Sequence, residues 1–69
     1  MKLSARNVIA GTIKHITVGS VNDEIVVEIA SGQEIVAVVT KSSAENLGLK
    51  QGMKVYAVIK ASNVILAVD

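Results

Sequence analysis

Three short segments of this chain combine hydroxyls, backbone amides and a cation: Ser4-Ala5-Arg6-Asn7, Thr40-Lys41-Ser42-Ser43 and Lys60-Ala61-Ser62. These groups suit a compact oxyanion, because a dehydrated dianion must receive several directed hydrogen bonds to replace the water it loses. Arginine or lysine supplies charge. Serine and threonine hydroxyls supply oriented dipoles, and the amides at a helix start, here Ser42 to Ala44, favour negative charge. The same letters have plain structural uses, since serines beside turns cap and bond locally and lysines at strand ends are solvated. Residue types alone leave both uses open.

Other chemistries are poorly supplied. With no cysteine and a single histidine, His15, neither a zinc site nor a thiol nucleophile can be assembled. A hydrolase triad would need His15 to meet a serine and a carboxylate, and no GxSxG pattern surrounds any serine. The chain is therefore expected not to be an enzyme, with no catalytic residues, no cofactor and no metal ligated directly by side chains. His15 fits better as a strand or interface residue. Nucleic acid is also disfavoured. Single-strand binders use aromatic platforms in a basic groove, whereas Tyr56 is the one aromatic residue here and the net charge is +1.

The elements that must hold these segments are mostly strands. Asn7 to Val18 is rich in β-branched residues that alternate in type, and Gly11 within it suggests a bend or bulge. Gly19 to Asn22 supplies turn residues, and a plain hairpin turn explains these letters. Glu24 to Ala30 is a second strand with Ile25, Val27 and Ile29 on one face. A turn around Ala30 to Glu34 leads to a third strand, Glu34 to Thr40, apolar on both faces as in a central or interface strand. A helix of one to two turns follows, with Ser42 as its expected cap, Glu45 as a capping-box acid and Gly48 as its stop. Strands four and five are expected at Lys54 to Ile59 and Val64 to Val68. The expected fold is all-β with one short helix, a five-stranded OB-like barrel, in a single domain over residues 1–69.

A chain of 69 residues buries a small fraction of its surface, and domains of this size usually rely on disulfides, metals or oligomerisation. Without cysteine, and with 51% hydrophobic residues against 19% charged, oligomerisation is the remaining aid, so a homo-oligomer is expected. No apolar run reaches the roughly 20 residues that span a bilayer, and the amino-terminal residues lack a signal-peptide core. No membrane association and a cytoplasmic location are the expectations.

The ordered set of KLSARNVIAGTIKHITVGSVNDEIVVEIASG, AVVTKSSAENLGLKQG and VIKASNVILAVD resembles the molbindins, small bacterial molybdate-binding proteins with Mop/TOBE-type domains. The resemblance covers essentially the whole chain. It implies an OB-like barrel that assembles as a hexamer, a trimer of dimers, and binds molybdate or tungstate between subunits for molybdenum storage or homeostasis. Carried over motif by motif, it assigns anion contacts to Ser4, Ala5 and Arg6, with Asn7 bracing the turn or touching the ligand. It adds Thr40 and Ser43 from the second motif and Lys60, Ala61 and Ser62 from the third. A molybdate-sensing module acting on a partner protein is the alternative, and an OB-type nucleic-acid binder a more distant one.

Overall fold

The computed structural model describes residues 1–30 and 32–69; Ser31, inside the expected Ala30 to Glu34 turn, lies outside them. Four strands form: β1 (Asn7–Val18), β2 (Asn22–Ile29), β3 (Glu34–Thr40) and β4 (Lys54–Ile59), with α1 (Lys41–Leu47) between β3 and β4. A one-turn 3-10 helix, Ala61–Asn63, follows β4. Among the described residues the sheet is antiparallel in the order β3-β2-β1-β4. It curls around an apolar hollow into half of an OB-like barrel.

Alternation explains which residues enter that hollow. Ile9, Gly11 and Ile13 of β1 face inward while Val8, Ala10 and Thr12 face out, as the period of two requires. The alternation then slips by one residue, because the β1–β2 register shifts between Ile13 and His15. Lys14 and His15 are both exposed and Ile16 returns to the core, the signature of a β-bulge. The bulge is therefore at Lys14 and not at Gly11. Gly11 answers a different constraint: a Cβ there would lie 2.6 Å from Val27 Cγ1 and 2.7 Å from the Glu28 carbonyl oxygen. The strands approach too closely at that point for any side chain.

The core is small. Ile13, Ile25 and Val27 are buried, with Ile16, Ile29, Ala37, Val39, Leu49 and Val55 packed around them. Helix α1 adds the buried Ala44. Its cap is Thr40, whose side chain accepts from the Ser43 N–H, so the expected Ser42 cap is replaced by the last residue of β3. That shift moves Glu45 beyond the capping-box position, which Ser43 occupies. Gly48 ends the helix at φ 65°, with its N–H directed at the Ala44 and Glu45 carbonyls, as a left-handed stop should. Outside the core, Lys14 donates to Glu34 at 2.7 Å and lies 3.7 Å from Glu28. The hydrogen bond to Glu34, and then the charges of Glu34 and Glu28, hold its ammonium above the ordinary lysine range. Such an exposed cluster contributes little to stability.

The expected fifth strand is not formed within the chain. After the 3-10 turn, Val64 to Asp69 run without sheet pairing, because the Asn63 and Val64 amides bond back to Lys60 and Ala61 rather than across to β4. Much apolar surface is left in water. The accessible area, 5485 Å², is about a third above the roughly 4,100 Å² expected for a compact monomer of 7.2 kDa. The radius of gyration, 12.7 Å, likewise exceeds the about 11 Å expected at this length.

Candidate functional site

β1 and β4 are antiparallel neighbours with Asn7 opposite Ile59. The segment entering β1 and the segment leaving β4 therefore emerge side by side. The Asn7 side-chain amide fastens this junction by donating to the Ile59 carbonyl at 3.2 Å, so Asn7 braces the turn and is absent from the lining of the recess beyond it. That recess, about 610 Å³, is lined by Ser4, Ala5 and Arg6 from one segment and Val58, Lys60, Ala61, Ser62 and Asn63 from the other. Two of the three donor-rich motifs thus meet, although more than fifty residues separate them in the chain.

The recess has the electrostatics of an anion receiver. Arg6 and Lys60 both line it, no carboxylate does, and the ion pairs found among the described residues are those of Lys14 with Glu28 and Glu34. Hydroxyls come from Ser4 and Ser62. The 3-10 turn begins at Ala61 with Lys60 as its cap, and the first amides of such a turn have no partner within it. Asn63 and Val58 were not expected in this lining. The Asn63 amide side chain follows the Lys60-Ala61-Ser62 motif as Asn7 follows Ser4-Ala5-Arg6, and that parallel was the available signal.

The second motif lies elsewhere. Thr40 pairs with Asn22, at the end of the sheet where β1 finishes, whereas Asn7 begins β1, so the two lie at opposite ends of the sheet. Within the motif, the Ser43 N–H donates to Thr40 Oγ1 at 3.1 Å and the Thr40 hydroxyl donates to Ser43 Oγ at 2.7 Å. Ser42 Oγ lies 3.3 Å from Thr40 Oγ1. With the Thr40 hydroxyl donating to Ser43 Oγ, the hydroxyl of exposed Ser43 keeps its own hydrogen to donate elsewhere. Thr40 positions Ser43.

The Gly19 to Asn22 turn is a structural hairpin. Its Gly19 N–H donates to the buried Asp23 carboxylate at 3.2 Å, and a Cβ at Gly19 would lie 2.3 Å from the Asn22 carbonyl oxygen. Glycine is required there by the turn. His15 is exposed in mid-strand opposite Val26, and among the described residues no group of three or more His, Cys, Asp or Glu is placed to hold a metal ion.

A family model described as the TOBE domain matches residues 3–66. The chain is 45% identical over 69 residues to the molybdenum transport protein ModE of Azotobacter vinelandii, covering 100% of this chain and 26% of ModE. It is 38% identical over 66 residues to molybdenum-pterin-binding protein 3 of Clostridium pasteurianum, covering 96% of this chain and 97% of that one. Among solved structures, the molybdate-bound form of the cytoplasmic molybdate-binding protein ModG superposes with a TM-score of 0.96 at 51% identity, over 100% of this chain and 49% of ModG. The chain thus spans about a quarter of ModE, about half of ModG and nearly all of the Clostridium protein.

Proposed function

The chain belongs to the TOBE domain family, and from that premise we propose that residues 1–69 form one molybdate-binding domain whose oxyanion site is completed between copies of the chain. It binds molybdate. The observation that carries the site assignment is the convergence of Arg6, Lys60 and the Ser4 and Ser62 hydroxyls on one recess without a carboxylate. Ala5 and Ala61 contribute backbone there, with Asn7 bracing the junction. Ser43, positioned by Thr40, supplies donors from a second copy, since one chain holds the two patches at opposite ends of its sheet. The open volume of the recess supports the same reading. A dehydrated dianion needs close contact on every side, and a second copy is the natural wall.

Binding on this account is reversible capture and not catalysis. Molybdate is already a dianion at neutral pH, and neutral donors plus two cations suffice to hold it. Tungstate, of nearly the same size and charge, is taken as well. Sulfate is rejected because donors spaced for the larger tetrahedron stand too far from its oxygens, and each lost hydrogen bond costs about 1 kcal/mol. The protein acts in the cytoplasm as a homo-oligomer, assembled as a trimer of dimers, in molybdenum storage or homeostasis. A second reading, a molybdate-sensing module acting on a partner protein, is favoured by one observation: the same domain spans a quarter of the much longer ModE.

Calorimetric titration of the assembled protein with molybdate, tungstate and sulfate tests the proposal. Saturable binding of the first two with sulfate silent is the expected result. An assembled oligomer that takes up no molybdate overturns it.

A further inference from the structure

Two asparagines flank the anion recess, and the fold treats them differently. Asn7, at the start of β1, gives its side-chain amide to the Ile59 carbonyl at 3.2 Å and stays out of the lining. Asn63, at the end of the 3-10 turn, is part of the lining. Its backbone N–H donates to the Lys60 carbonyl at 2.9 Å, so the turn holds the residue in place through the main chain. Its exposed side chain makes no hydrogen bond among the described residues. The fold makes no use of it.

The donors and acceptors of the recess give that carboxamide a purpose. Arg6 and Lys60 only donate, the Ser4 and Ser62 hydroxyls donate and accept, and no carboxylate is present among the lining residues. A fully deprotonated tetrahedral dianion requires donors alone. Hydrogenphosphate carries the same charge but retains a proton, which requires an acceptor, so the two are told apart by the sense of a hydrogen bond and not by charge. The asparagine amide offers donors on its nitrogen and an acceptor on its oxygen. To take the proton of hydrogenphosphate it must turn the oxygen inward and surrender its donors, whereas a deprotonated anion keeps them. An aspartate of the same shape would present only acceptors, with a negative charge.

We propose that the Asn63 side-chain amide donates to the bound oxyanion and sets the preference of the recess for fully deprotonated over protonated tetrahedral anions. The assignment rests on the oxyanion reading. It adds a contact that lies just beyond the Lys60-Ala61-Ser62 motif, and it leaves Asn7 to the junction of β1 and β4.

Molybdate is titrated calorimetrically into the assembled wild type, Asn63→Ala and Asn63→Asp, each in chloride and in phosphate of equal ionic strength. Mass in solution and circular dichroism establish that the variants assemble. In chloride, Asn63→Ala is expected to bind roughly threefold to tenfold more weakly, as for one lost hydrogen bond, and Asn63→Asp roughly tenfold or more, since a carboxylate repels the dianion. Phosphate is the readout that a structural role would not move. It is expected to leave wild-type affinity within about twofold of its chloride value and to weaken that of Asn63→Asp roughly threefold or more, because aspartate accepts the proton of hydrogenphosphate. In the wild type itself, the NMR signal of the Asn63 side-chain amide is expected to shift on saturation with molybdate, which keeps the test valid if neither variant folds. An Asn63→Ala protein of wild-type affinity, or an unmoved amide signal in the saturated wild type, overturns the contact. A wild type that phosphate weakens as strongly as it weakens Asn63→Asp overturns the selectivity. A wild type that takes up no molybdate overturns the oxyanion reading, and the assignment falls with it.

Discussion

Arg6 is the sole arginine of the chain, and it is spent on a recess where no carboxylate answers it. Arg6 brings a full positive charge and a fork of several donors to the dianion, where the Ser43 hydroxyl brings one uncharged donor. Arg6→Ala is therefore expected to weaken molybdate binding roughly tenfold to a hundredfold, and Ser43→Ala roughly threefold to tenfold, both without changing the assembled mass. Calorimetry on the two variants checks the ranking, and a Ser43→Ala loss equal to that of Arg6→Ala reverses it. The donor-rich motifs were legible in the sequence as sets of hydroxyls beside a cation, but these letters are also ordinary beside turns, and only the ordered resemblance pointed them to an anion. Their internal division of labour was not. Thr40 serves at once as the last residue of β3 and the cap of α1, and three candidates within four residues, Thr40, Ser42 and Ser43, could each cap a helix from local chemistry alone. Only the path of the backbone, φ −66° and ψ 150° at Thr40, selects among them.

At the scale of elements, β1, β3 and β4 have the bounds that alternation and turn residues imply, and β2 runs Asn22–Ile29 rather than Glu24 to Ala30. The bulge was legible too, but in a different place from the glycine that suggested it. Ile13 and Ile16 are three apart, a spacing that a period of two cannot send to the same face, and an extra residue at Lys14 is the physical remedy. Gly11 instead marks a close approach of strands, something no local pattern distinguishes from a bend. Gly11→Ala is thus expected to destabilise the fold by about 1–3 kcal/mol, since both atoms met by the new Cβ belong to the core strand β2 and one is backbone. Chemical denaturation measures this; a change below about 0.5 kcal/mol, typical of surface substitutions, would show that the strands can part without cost.

The whole molecule is where the sequence is least explicit. Composition alone leads to the expectation of an oligomer, and the accessible area and radius of gyration both exceed those of a compact monomer of this length. It does not say where the fifth strand goes. Val64 to Val68 has the residues of a strand, yet a strand requires an edge to pair with, and the segment takes up none within its own chain. The same is true of the site. On the proposed reading the anion site needs both the Arg6 and Lys60 patch at one end of the sheet and the Thr40 and Ser43 patch at the other.

That separation makes the central claim directly measurable. Two defective chains are prepared, Arg6→Ala/Lys60→Ala and Thr40→Ala/Ser43→Ala, and each is assembled alone and then as an equal mixture reassembled from monomers. Molybdate capacity is read by equilibrium dialysis. If sites join the first patch of one copy to the second patch of another, each variant alone binds weakly. The mixture then regains about a quarter of wild-type capacity, because half the pairs are mixed and each mixed pair has one intact site. A mixture that regains nothing, while containing demonstrably mixed oligomers, would contradict a site shared between copies through these residues.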